Sequence, residues 1–160
     1  MSKKKKILLV VFSLFIILQF IRPADNNSEI LITNDISSSI KMSPEVSNIL
    51  KASCYDCHSN KTNNMWYQNI QPIGWWINHH IEEGKDELNF SEFNTYSLKR
   101  RAHKLEEIAE MIEGNEMPLS SYTLIHGEAE LNADQKKLIV DWAKTNHDSL
   151  KKLIPPQVQK

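Results

Sequence analysis

The chain opens with one solid apolar run and continues with apolar positions spaced along a polar background. The run, Ile7 to Ile21, reads ILLVVFSLFIILQFI and is broken only by Ser13 and Gln19; Lys3 to Lys6 stand ahead of it. A basic cluster before an apolar stretch is the layout of a secretory signal. The run ends in Phe20, Ile21, Arg22 and Pro23, without the small residues at which such a signal is cut. The pattern therefore predicts an uncleaved signal anchor, a transmembrane helix over residues 1–22, with a cleaved signal as the alternative. Fifteen helical residues span about 22 Å, short of a hydrocarbon core of about 30 Å. Flanking Lys and Arg side chains can snorkel across part of that gap. The positive-inside rule puts the lysines in the cytoplasm and the rest outside. The expected location is a bacterial inner membrane, crossed once, with the C-terminal domain in the periplasm.

Residues 23–42, rich in Asn, Asp and Ser, show no helical period and read as a polar linker, with at most a short strand over Glu29 to Thr33. Beyond them the spacing becomes helical. Ser43-Pro44-Glu45 is a helix start, and Val46, Ile49 and Leu50 follow in register up to Cys54. A second helix is predicted from Pro72, with Ile73, Trp76, Ile77, His80 and Ile81 on one stripe and Gly84 as its C-terminal cap. A third runs from Tyr96 to Glu113 on Leu98, Ala102, Leu105, Ala109 and Ile112. A fourth starts at Asn132, where Gln135 completes a capping box, and buries Leu138, Ile139, Trp142 and Ala143. The prediction is an all-α domain over residues 43–150 with a tail over 151–160.

Composition agrees. Only 4 of 160 residues are glycine, which disfavours a hairpin-rich β fold. With 41% hydrophobic and 24% charged residues the chain is neither disordered nor, at a mean hydropathy of -0.44, polytopic. Charge is uneven. Five of the 19 cations lie in the first 22 residues, which hold no acid; the remaining 14 face all 20 acids, leaving that part net -6. An acidic exported part is a poor nucleic-acid binder. Four short helices bury little core by themselves, and a large apolar cofactor at the centre would supply one.

The chemistry sits in Cys54-Tyr55-Asp56-Cys57-His58, the C-x-x-C-H pattern of covalent haem c. Two thiols three residues apart on one helical turn can each form a thioether with one porphyrin, and the next residue sets its imidazole beneath the iron. Cys54 and Cys57 are the only cysteines. Export adds support, because haem c is attached outside the cytoplasm. Three other readings compete: a thioredoxin-like redox pair, a small disulfide loop, and a zinc site lacking its second half.

His58 is thus the expected proximal iron ligand. Met117, in Glu116-Met117-Pro118 after the third helix, is the leading distal ligand, and His80 on the apolar stripe is its rival. A core role is the alternative for each, as for Met111, Met65 and Met42. Trp66, Tyr67, Trp75 and Trp76 follow the motif closely; Trp66 and Trp76 are candidate walls of the haem environment. His126 is a candidate partner for a propionate, whereas His79, His103 and His147 look like surface positions.

A helix leading into C-x-x-C-H, a late Met-Pro loop and a closing amphipathic helix resemble the small monohaem cytochrome c fold. More narrowly, CYDCHSNKT, WYQNIQPIGWWINHHIEEGKDELNFSEF, EMPLSSY followed by His126, and LNADQKKLIVDWA resemble the bacterial haem-binding domain family. The resemblance implies haem c bound at Cys54, Cys57 and His58, with Met117 as the matching distal position. It implies no defined partner or reaction. The expected function is a membrane-anchored, periplasm-facing monohaem cytochrome c that carries electrons to an unknown redox protein, with enzymatic activity left open. A haem sensor or small peroxidase with a labile distal ligand is the alternative, followed by a haem-free envelope interaction protein.

Overall fold

The computed structural model describes residues 2–63 and 65–155. Helix α1, Lys3–Leu18, is capped by Ser2 and exposes its apolar side chains from Ile7 to Ile17. It has 16 residues, fewer than the predicted anchor, because the chain leaves the helix at Gln19. No helix among the described residues is long and apolar enough to cross a membrane on its own.

The expected linker is not a free tether. Ile36 and Ile40 are 0% and 3% exposed and belong to the main core. The polar residues around them satisfy backbone groups. The Asp35 carboxylate caps the turn Ile36–Ser38 by accepting from the Ser37 amide, and Asn94 Nδ2 donates to the carbonyls of Thr33 and Asp35. Further upstream, Asn27 pairs with Lys61 in an isolated bridge, and no strand forms over Glu29 to Thr33. An Asn- and Ser-rich composition marks side chains that bond to backbone as readily as it marks solvated chain. Here the two isoleucines decide the matter.

The four expected helices are present. Helix α2, Pro44–Ser53, has Ser43 Oγ accepting from the Val46 amide, and Cys54 follows as its C-cap. Helix α3, Tyr55–His58, is a single turn. Helix α4 runs Ile73–Glu87, so Gly84 lies inside it and not at its cap. Helix α5, Leu98–Glu113, starts one step after its cap Ser97. Helix α6, Ser120–Thr123, is a single turn, and α7, Ala133–Lys151, has both bonds of the Asn132–Gln135 capping box. The tail boundary at 150 moves outward, since α7 reaches Lys151 and Ile154 is 7% exposed.

Helices α5 and α7 pack along each other, and α2 lies against α7. His147 is a strut in that packing, not a surface position: its Nδ1–H donates to the Ala102 carbonyl at 2.9 Å. Phe90 and Phe93, from the 3-10 turn Phe90–Thr95, are 1% and 0% exposed beside Leu50, Leu105 and Ile139. Burying each ring contributes about 1.5–3 kcal/mol. The turn that carries the cysteines rests on this core through Cys54 and Tyr55.

Candidate functional site

The turn from α2 into α3 sets the motif. The amides of Cys57 and His58 both bond to the Cys54 carbonyl, at 3.2 and 2.9 Å, so one tight turn carries both thiols and the imidazole. The thiols are free and half-buried. Burial, with the neighbouring Cys57, pushes the Cys54 thiol up to about 12. Burial, with Asp56, pushes Cys57 up to about 11. A disulfide-exchange cysteine needs a thiolate, so a thioredoxin-like role fits poorly. Among the described residues no three His, Cys, Asp or Glu side chains converge as a metal cluster, which disfavours the zinc reading.

His58 is held from behind. Its Nδ1 lies 2.8 Å from the Gly84 carbonyl and 3.0 Å from the Leu88 carbonyl. Carbonyls only accept, so the proton sits on Nδ1 and the Nε2 lone pair is left for a ligand. Burial lowers the His58 pKa, outweighing the two carbonyls that raise it, and keeps the ring neutral. This arrangement requires α4 to run close against α3. Gly84 permits it: a Cβ there would lie 3.0 Å from the Cys57 carbonyl oxygen and 3.3 Å from Cys57 Cβ.

Two cavities, of about 270 and 310 Å³, flank the motif, and both are lined by Cys54, His58, Glu87 and Met117. The first is walled by apolar side chains of α2 and α5, among them Leu50, Ile108 and Met111, with Phe90 beside them. The second continues past Cys57 to His80, Pro118 and Tyr122. Met117 is half-buried and packs against the core. His80 reaches the second cavity, but its Nδ1 pairs with Glu83 at 3.3 Å and its ring meets Trp76 edge-on.

The other candidates fall elsewhere. His126 lines neither cavity that holds His58 and Met117. It borders a third, apolar pocket of about 70 Å³ with Met65, Tyr67 and Trp76, which adjoins the second cavity through Asp56, Cys57, His80, Leu119 and Tyr122. There the Tyr67 hydroxyl lies between the Met65 sulfur and His126 Nε2, and Tyr122 stacks on the imidazole at 4.5 Å. Met65 and His126 are both haem-ligand types, so this pocket brings together a second possible pair. Trp66 is 76% exposed and lines none of the three cavities, against the expectation that it walls the cofactor. The turn Trp66–Asn69 points it outward, edge-on to Tyr67. His79 and His103 are exposed as expected, each paired with a glutamate on its own helix.

Two site residues escape the sequence reading. Asp56, 7% exposed, accepts from Asn63 N and Nδ2, both at 3.0 Å, and from the Tyr122 hydroxyl at 2.7 Å. It ties the loop after Met117 to the attachment turn. Nothing in C-x-x-C-H distinguishes that position. Lys104, 7% exposed, lines the first cavity and pairs with Glu107 at 2.7 Å and Glu87 at 3.3 Å. Burial lowers its pKa, but those two carboxylates outweigh it and hold the ammonium above its usual value. Its signal was legible: Lys104, Ile108 and Met111 share one helical face.

Fold and site together define a small all-α domain built around a C-x-x-C-H attachment turn. The chain belongs to the haem-binding domain family, whose sequence model matches residues 13–145. No curated protein and no solved structure matches it. The residues present fit the group that the family binds. A cysteine pair compatible with covalent haem c, an imidazole with its Nε2 free, and apolar cavities reaching Met117 are donors and walls for a porphyrin.

Proposed function

We propose that the chain is a membrane-associated monohaem c-type protein of the periplasmic face, working in electron transfer. Cys54 and Cys57 tether the haem, His58 Nε2 is the proximal ligand and Met117 the distal one. The observation that carries this reading is the double anchoring of His58 Nδ1 by Gly84 and Leu88, on cavities that also reach Met117. Bound haem supplies a one-electron iron couple, and His/Met ligation raises its potential. The chain's own residues do the rest. The two carbonyls fix the imidazole's tautomer and plane, and Leu50, Phe90 and Ile112 exclude water from one side. Lys104, with Glu87 and Glu107, forms a closed ion cluster at the cavity edge. Net acidity beyond residue 22 suits docking to a basic patch on a redox partner, with a salt-dependent on-rate.

Lys3 to Lys6 and the exposed apolar side of α1 support membrane association. The test is the visible spectrum of the full chain matured in a periplasm, oxidised, then reduced with and without carbon monoxide. A covalent c-type spectrum indifferent to carbon monoxide is expected. A rapid shift with carbon monoxide instead favours the second reading, a sensor or peroxidase with a labile distal site. His80 on the second cavity, with Glu83 at 3.3 Å, is the observation behind it. No haem at all, with a control protein matured in parallel, would sink both.

A further inference from the structure

A face of the domain beside the root of α1 is apolar and exposed. Trp66, Ile73, Trp76, Leu124 and Ile125 are 76%, 44%, 49%, 85% and 63% exposed. Ile73, Trp76 and Ile125 border one small pocket, together with Tyr67, against which Trp66 sits edge-on. Two separate stretches of chain supply this face, residues 65–77 and 117–127. Neither contains a single Asp, Glu, Lys or Arg, in a protein that is 24% charged.

The same place receives the N-terminal helix. Gln19 Nε2 donates to the Gln71 carbonyl at 3.1 Å, and the Gln71 amide donates back to Gln19 Oε1 at 2.9 Å. Trp75 Nε1 donates to the Ile21 carbonyl at 2.7 Å. These three bonds fasten the chain just after α1, at Gln19 and Ile21, to Gln71 just before α4 and to Trp75 in its first turn, the turn that carries Ile73 and Trp76. Phe20, between those two contact points of the chain, is 83% exposed.

We propose that this face rests in the lipid headgroup region, so that the haem domain lies flat on the bilayer and does not swing on a tether. The inference rests on the membrane reading of α1 and goes beyond it. Its physical reason is length. The apolar part of α1, Ile7 to Leu18, is 12 residues and about 18 Å long, against a hydrocarbon core of about 30 Å. A short anchor draws its flanks towards the bilayer, and here the flank is the domain itself, hydrogen-bonded to the helix end. The composition suits that depth. Tryptophan concentrates at the membrane interface, where its apolar body and N–H are both satisfied, and charges are disfavoured just below it. A face made for a protein partner would have no need to be continuous with the anchor.

The test uses the full chain with 5-fluorotryptophan, haem reduced, in phosphatidylcholine–phosphatidylglycerol vesicles with and without a doxyl-labelled lipid. Fluorine resonances are assigned by single Trp→Phe variants. Trp66 and Trp76 are expected to broaden at least threefold with the doxyl lipid. Trp142 is 8% exposed, with its N–H on the Lys41 carbonyl, and serves as the unaffected reference. In the double variant Trp66→Glu, Leu124→Glu, the chain should still sediment with vesicles in carbonate while Trp76 broadening falls to the level of Trp142. Both positions are solvent-exposed, and an unchanged melting temperature verifies folding. Broadening of Trp66 and Trp76 no greater than that of Trp142, with the chain still sedimenting, would overturn the proposal and leave the anchor intact. Failure to sediment at all would remove the membrane reading and this inference together.

Discussion

Gly84→Ala isolates the contact on which the attachment turn depends. Two terms oppose each other. Alanine inside a helix is better than glycine by about 1 kcal/mol. Against that, the new Cβ would lie 3.0 Å from the Cys57 carbonyl oxygen, 3.3 Å from Cys57 Cβ and 3.4 Å from its carbonyl carbon. All three belong to the short turn α3, or sit at its root, so no flexible side-chain end can move aside. Forcing a methyl group into such a contact costs about 1–3 kcal/mol. The net expectation is a loss of up to about 2 kcal/mol, with a melting temperature lower by several degrees for a domain of this size. Gly127→Ala is the control, since nothing lies within 4 Å of a Cβ there. The second readout is chemical. Pushing α4 outward lengthens the 2.8 Å bond from His58 Nδ1–H to the Gly84 carbonyl. A weaker bond there makes the imidazole a poorer donor, and the midpoint potential of the loaded protein should rise. Thermal unfolding by circular dichroism and potentiometry of the two variants decide it. A Gly84→Ala protein that is more stable than the parent, with an unchanged potential, would refute the packing argument.

Met117→Ala should lower the potential and let carbon monoxide bind the reduced protein; an unchanged potential would shift attention to His80 or to the His126–Met65 pocket. Tyr122→Phe removes the 2.7 Å bond to Asp56 Oδ2 and should cost about 1.5–3 kcal/mol in denaturant unfolding, as expected for a bond to a charged group. Lys104 has its folded-state pKa raised, so its pairing with Glu107 and Glu87 stabilises fully below the ordinary value of 10.5 and is lost as pH climbs through the folded value. Lys104→Met should therefore flatten the fall in stability at alkaline pH, and an identical pH profile would contradict the pairing. Asn132→Ala removes the Asn132 Oδ1 acceptor of the α7 capping box and should cost about 1 kcal/mol, read as a lower melting temperature.

Local features were readable in advance because they depend on neighbours in sequence. Ser43-Pro44, the Asn132–Gln135 box and the stripe of α5 are each complete within a few residues, and each helix formed where its pattern stood. The C-x-x-C-H turn is equally local, and its reading as a haem-attachment pattern agrees with the family. Other features depended on what packed against them. Gly84 read as a cap because glycine commonly ends helices; only the approach of α3 reveals it as a contact inside α4. Ile36 and Ile40, sparse in a polar stretch, carry no periodicity, and the core claims them through the surface that α2 and the Phe90–Thr95 turn leave open. Trp66 and His126 lie near the motif in a pattern of aromatics, yet the turn Trp66–Asn69 sends one to solvent and Tyr67 holds the other at a smaller pocket on the Cys57 side of the motif. Sequence by itself determined where the four long helices of the domain stand and where covalent chemistry can occur, since hydrogen bonding along one turn needs no distant partner. Only the tertiary structure decided which side chains face the cavities, because that depends on how α4 and the Met117 loop pack around the attachment turn, through contacts between residues far apart in the chain.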